Sequence, residues 1–301
     1  MDSSRFQDDP PPAPPQIEKA VDVFERRRWT TAELRGAGVP KRVLRRWLDS
    51  GGIVRVRRGV YVPADTPAPL VDAARLGARL GCVSLLSLLG VFVRSATGLH
   101  VHIDRGESRL PPRGPSVVAH WRTPGGAGAH DLAAPVVDAL VEAVRCQQPR
   151  DAIATLDSAW HLGLVDESAI AEVFARLPAR FAALRPLLDP RSEAGTESLM
   201  RLLIRALGHR VEVQVRILGV GRVDLLVDGW LIVECDSRAY HGDWAARRRD
   251  VRRDLAAARQ GYTTVRPLAE DILSSSDEMV ATMRDILRHG PTRAAARTPP
   301  R

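Results

Sequence analysis

Lysine is nearly absent from this 301-residue chain. Lys19 and Lys41 are its only examples, so the basic excess, 44 Lys and Arg against 36 Asp and Glu, is carried by arginine. Arginine offers a planar, permanently charged fork suited to two-point contacts with phosphate or guanine. A GC-rich coding sequence, which also favours Ala, Gly and Pro, produces the same bias. Either way, a net charge of +8 and a pI near 10.3 favour a polyanionic partner. Cysteine is scarce as well. Cys82, Cys146 and Cys235 are odd in number and widely spaced, which excludes a disulfide framework and shows no zinc-ligand spacing. The longest apolar run, Leu80 to Val93, suits a buried helix and is too short to cross a bilayer. The first residues are acidic and proline-rich, so no signal peptide is read there and the expected location is cytoplasmic.

Carboxylates inside an apolar stretch are what stand out. Val223 to Val227 and Trp230 to Val233 flank Asp228-Gly229, a strong β-hairpin signal. Asp224 interrupts the first strand, and Glu234 and Asp236 end the second. An ionised carboxylate within an apolar sheet is costly unless it is paired or metal-bound, so three of them predict a cation site. A plain two-residue turn sets Asp224 opposite Val233 and puts Glu234 on the other face. A three-residue loop of Val227, Asp228 and Gly229, with a G1 bulge, makes Ile232 the partner instead. Glu234 then lies diagonally on the same face as Asp224, about 7–8 Å away between Cα atoms, and Asp236 follows by alternation. Asp224 and Glu234 are the predicted metal ligands, with Mg²⁺ or Mn²⁺ as the hard cation.

An Asp, a turn, Glu-x-Asp and a downstream His resemble the very-short-patch-repair-like branch of the PD-(D/E)XK endonucleases. The resemblance runs from about Ser192 to Leu287 and departs from the superfamily pattern where Asp236 replaces the usual Lys. It implies a restriction-endonuclease-like domain with Glu197, Asp224, Glu234, Asp236 and His241 as the catalytic set. Glu197 lies on one helical stripe with Met200, Ile204 and Leu207, while Glu193 is the neighbouring alternative. His241 either transfers a proton or only hydrogen-bonds within its loop.

At the other end, Ala20, Val21 and Phe24 suggest a helix, and Thr30 with Glu33 forms a capping box. Pro40 opens a third helix at its first position. Leu44, Trp47 and Leu48 are expected inside and Arg42, Arg45 and Arg46 outside. Strands at Ile53–Val56 and Val60–Val62, joined through Arg57, Arg58 and Gly59, complete a winged helix-turn-helix whose third helix enters the major groove. Trp29 to Leu34 and Gly52 to Tyr61 resemble the N-terminal domain of AbiEi-type antitoxins. That resemblance implies DNA as a partner and a cognate toxin as a possible second one. The competing reading of the three arginines is a solvated helix face.

The predicted architecture is multidomain α/β. A tail at 1–16 precedes a winged helix at 17–65, a mixed α/β middle region at 66–190, the endonuclease-like domain at 191–290 and a tail at 291–301. In the middle, Val71–Leu89, Asp131–Cys146, Arg150–Leu162 and Glu167–Leu177 read as helices, and Leu99–Asp104 and Ser116–Trp121 as strands. His100 and His102 share a strand face. That pairing could mark a metal site, but with no Cys or carboxylate at ligand spacing nearby the preferred reading is partly buried imidazoles. Ser192 is the expected cap of the last domain's first helix, with Gly208 at its end. A later helix, expected to be capped by Asp243 and ended at Gly261, carries Arg248, Arg249, Arg252 and Arg253. Like-charge i,i+4 pairs there suit a phosphate partner, while Asp250 and Asp254 suit intrahelical ion pairs. Tyr262–Arg266 is expected as a strand and Leu268–Leu287 as a closing helix. The leading function is metal-dependent hydrolysis of DNA, with a non-catalytic DNA-binding regulator as the alternative.

Overall fold

The computed structural model describes residues 15–108, 110–122, 128, 131–235, 244–274 and 276–290. Two compact units form: residues 1–90, 97–139 and 162–165 in one, and residues 91–96, 140–161 and 166–301 in the other. The middle region expected at 66–190 is thus shared between them. The expected tails lie outside the described residues, except that Pro15 and Gln16 open the first helix. Among the described residues, no helix is long and apolar enough to cross a membrane.

The first unit begins with α1 (Pro15–Glu25), β1 (Trp29–Thr30), α2 (Thr31–Gly36), α3 (Lys41–Asp49), β2 (Ile53–Arg57) and β3 (Val60–Pro63), the strands ordered β1-β3-β2. The Thr30 hydroxyl accepts the Glu33 N–H at 3.3 Å, and the Glu33 carboxylate accepts the Thr30 N–H at 2.7 Å, so the capping box forms. Pro40 is the N-cap of α3 and not its first helical residue. Val23, Leu44, Val56 and Val62 are buried. Trp47, expected inside, is 38% exposed and lines an open apolar pocket with Trp29, Leu34, Ile53 and Tyr61. β1 has two residues, too few to show alternation in the sequence.

The single helix expected over 71–89 is instead α4 (Ala68–Arg75), β4 (Arg79–Leu80) and α5 (Cys82–Leu88). Gly77, at φ 73°, turns the chain after α4. β4 then pairs antiparallel with β5 (Leu99–Asp104), which pairs parallel with β6 (Val117–Arg122). The helix expected from Asp131 begins five residues later as α6 (Val136–Cys146), because Asp131 and Ala133 bridge to Arg27 and Leu80.

The second unit contains α7 (Pro149–His161), α8 (Glu167–Ala175), a 3₁₀ segment at Ala179–Leu187 and α9 (Gly195–Ala206). Then come β7 (Val211–Ile217), β8 (Gly221–Val227), β9 (Leu231–Val233), α10 (Trp244–Arg259) and β10 (Thr263–Val265). The expected closing helix is two, α11 (Ala269–Ser274) and α12 (Ser276–His289). The sheet runs β10-β9-β8-β7; β10 is parallel to β9 and the other pairs are antiparallel. One core joins Met200 and Ile204 of α9 to Leu225, Leu231, Val233 and Met283. Another joins Ile217, Leu226 and Ile232 to Ala257 of α10. Helices therefore cover both sides of the sheet, which is why its strands read as continuous apolar runs.

Ser192 does not cap α9. The N-cap is Ala194, without a side-chain bond, while Ser192 is buried. α9 is anchored to α7 by a buried ion pair: Asp157 Oδ2 accepts Arg201 Nη2 and Ser198 Oγ, each at 2.7 Å. Asp157 Oδ1 also accepts the Asp189 N–H at 2.8 Å. Burial pushes the Asp157 carboxyl up despite these donors.

Candidate functional site

The β8–β9 turn decides how the acids meet. Asp228 (φ 47°) and Gly229 (φ 73°) both take the left-handed conformation, and Trp230 N–H donates to Val227 O at 3.1 Å. The connection is therefore Asp228-Gly229-Trp230, one residue later than expected. The Asp228 carboxylate accepts the Arg210 N–H at 2.9 Å and lies 2.6 Å from His209 Nδ1, while its own N–H donates to Arg210 O. These bonds hold Asp228 in the turn and leave Val227 paired with Val211 and Leu231.

The register that results pairs Val227 with Leu231, Leu226 with Ile232 and Leu225 with Val233. Carried one residue further, it sets Asp224 opposite Glu234, not opposite Ile232. The shared face expected for Asp224 and Glu234 survives, with a direct cross-strand relation in place of a diagonal one. Register with β7 likewise brackets Gln214 opposite Asp224, since Val213 pairs with Leu225 and Val215 with Val223. Gln214 has φ 55°, an uncommon conformation for a residue with a side chain.

Glu197 of α9 joins this row. It is 4% exposed, and its Oε2 accepts the Gln214 side-chain N–H and the Glu193 N–H, each at 3.0 Å. Glu193, the alternative acid, pairs instead with Arg222 at 2.7 Å. Asp224 Oδ2 accepts the Cys235 N–H at 2.9 Å. Arg253 Nη2 lies 2.6 Å from Glu234 Oε1 and also bonds Arg222 O. Burial, reinforced by the charge of Asp224, pushes both Glu197 and Glu234 up to about 7. Asp224 is raised by burial as well, against the Cys235 N–H and Arg253. Asp224 is thus the charge felt by both glutamates.

Asp224 and Glu234 offer carboxylate oxygens, the donor type that Mg²⁺ takes from proteins, but among the described residues Glu197, Asp224 and Glu234 do not form a group of three ligand atoms within 4.8 Å of one another. Gln214 Oε1 is buried and accepts no hydrogen bond among the described residues. Asp236 and His241, the remaining members of the expected catalytic set, and the expected cap Asp243 lie outside the described residues.

The basic residues divide. Arg42, Arg45 and Arg46 of α3 are all exposed, and Arg45 lies 4.0 Å from Asp49. In the wing, Arg58 is exposed, while Arg57 is half-buried with its guanidinium against Gly77. Arg55 is exposed and was missed, although alternation along β2 turns it outward. On α10, Arg248, Arg249 and Arg252 are exposed. Arg253 belongs to the acidic site, and Asp254 bonds Arg266 at 2.7 and 2.5 Å across to β10, not within the helix.

Residues 21–64 match the model of the family described as transcriptional regulator, AbiEi antitoxin. The match begins within α1 and runs through α2, α3 and the wing, consistent with a winged helix. No curated protein matches the chain.

Proposed function

We propose that the chain is a DNA-binding protein whose second unit hydrolyses phosphodiester bonds with Mg²⁺ or Mn²⁺. The row that strand register and side-chain bonding make of Glu197, Gln214, Asp224 and Glu234 supports this reading. Within that unit, the order α9-β7-β8-β9-α10-β10 supports the endonuclease-like resemblance. Asp224 and Glu234 would hold the metal, which supplies Lewis acidity and activates water when bound. Glu197, oriented by Gln214 and the Glu193 N–H, orders the site beside them. Asp236 and His241 complete the proposed catalytic set. Arg42, Arg45, Arg46 and Arg58, with Arg248, Arg249 and Arg252, bind backbone phosphates.

The test is nicking of supercoiled plasmid with Mg²⁺ or Mn²⁺, comparing the native chain with Glu234→Ala and Asp224→Asn. Cleavage by the native chain alone is expected; equal activity in all three rejects the hydrolytic site.

A second reading rests on the family match and on Arg253, which already sits 2.6 Å from Glu234. In it the protein is a DNA-binding transcriptional regulator of the antitoxin type, partnered by a toxin, and the acidic site is vestigial. Sequence-specific duplex binding with no metal-dependent nicking selects this reading.

A further inference from the structure

Away from the acids, the first unit brings together three residues that the sequence keeps apart. Cys82 opens α5, His100 lies on β5 and His120 on β6. The Cys82 thiol sulfur and one ring nitrogen from each histidine all lie within 4.8 Å of one another. His100 Nδ1 and His120 Nε2 are 3.3 Å apart. With Zn–N bonds of about 2.0–2.1 Å, two corners of a tetrahedral site are separated by about 3.3–3.4 Å.

The backbone is arranged to keep this cluster. Residues on both sides of Cys82 clasp His100: Gly81 N–H donates to His100 O at 3.2 Å, and His100 N–H donates to Ser84 Oγ at 2.9 Å. Cys82 itself has φ 47°, which side chains avoid unless surrounding structure imposes it. Leu80 N–H donates to Leu132 O, and Ala134 N–H donates to Leu80 O, each at 2.8 Å, which fixes the preceding strand. The parallel β5–β6 register places His120 opposite His102 and diagonal to His100. The His102 ring takes another direction, with Nε2 3.6 Å from Asp104 Oδ1. Cys82 is fully buried and His100 is 7% exposed.

We infer that Cys82, His100 and His120 form a transition-metal site, suited to Zn²⁺, that ties α5 to the parallel strands β5 and β6. One thiolate and two imidazoles match the ligand preference of a borderline-soft ion and not that of Mg²⁺. Three protein ligands define three corners of a tetrahedron. Binding deprotonates the Cys82 thiol and releases that proton to solvent, with no change in oxidation state. Because the unfolded chain lacks the preformed cluster, the ion stabilises the fold. Nothing here depends on hydrolysis at the acidic site.

The experiment uses the full-length protein, stripped by chelation and titrated with Co²⁺ as a spectroscopic substitute for Zn²⁺. The native chain is expected to show a thiolate-to-cobalt charge-transfer band that Zn²⁺ abolishes, together with a metal-dependent rise in Tm. Glu234→Ala keeps the band, which separates this site from the acidic one. Cys146→Ser/Cys235→Ser also keeps a band, because Cys82 is then the sole thiol. Cys82→Ala loses it. His120→Gln, at a half-exposed position, covers the case in which Cys82→Ala does not fold. It weakens Co²⁺ binding by at least about tenfold, the lower end of what removing even an outer-shell partner costs, with an unchanged far-UV spectrum. No thiolate band in the native chain, or an unchanged affinity in His120→Gln, overturns the site.

Discussion

Arg253 of α10 meets Glu234 just past the end of β9, Nη2 to Oε1 at 2.6 Å, so a protein cation already faces one of the two proposed metal ligands. A divalent ion has to compete with that guanidinium for Glu234. Arg253→Ala should therefore tighten Mn²⁺ binding by roughly tenfold, the scale of one charge-assisted hydrogen bond of about 1.5 kcal/mol. Calorimetric titration measures this, and weaker binding in the variant would mean that Arg253 supports the metal site and does not compete for it.

Millimolar Mg²⁺ or Mn²⁺ should raise the Tm of the native chain by mass action. Asp224→Asn or Glu234→Gln should remove that rise, because each deletes half of the facing pair. A rise that survives in both variants would place the ion elsewhere.

Glu197 and Glu234, both pushed up to about 7, set a pH dependence whose sign is definite. In the unfolded chain each titrates near about 4.3. Between those values the folded protein holds protons that the unfolded chain has released, so stability falls as pH rises through the window and levels off above about 7. Asp189 and Asp228, held below the usual carboxylate range, act oppositely, and their stabilisation disappears only under more acidic conditions. Glu197→Gln should make the metal-free protein more stable at pH 8 by about 1–3 kcal/mol. Urea titrations at pH 5 and pH 8 test this; an equal effect at both pH values would contradict it.

Removing Asp157 leaves Arg201, 1% exposed, with its charge unpaired in the core. Asp157→Ala should cost about 3–5 kcal/mol, read as a lowered urea midpoint. A loss below about 1 kcal/mol would show that water reaches Arg201 and solvates it.

Arg42, Arg45 and Arg46 present a continuous basic face on α3. Replacing all three with Ala should weaken duplex binding and flatten its salt dependence, by about 0.9 in log–log slope for each phosphate that no longer has an arginine to neutralise it. An unchanged slope would assign these residues to a solvated helix face.

Much of the second unit was legible because its signals are local. The Glu197–Met200–Ile204 stripe repeats with helical period, two apolar runs bracket Asp228-Gly229, and Gly208 and Gly261 stand just past helix ends. The capping box of Thr30 and Glu33 was equally plain. By contrast, the apolar stretch over 71–89 read as one helix because buried strands and buried helices share composition, and periodicity does not separate them.

What the sequence by itself determined is which residue types are available and which local elements they form: an arginine-rich third helix, and acids set into a buried hairpin. Tertiary structure decided which of them meet. Bonds from Asp228 to Arg210 moved the turn by one residue and set Asp224 opposite Glu234. Packing of α10 brought Arg253 to Glu234. Strand pairing brought Cys82 beside His100 and His120. Each of these meetings joins residues at least ten positions apart, beyond the reach of helix or strand periodicity, so they exist only once the sheets have closed.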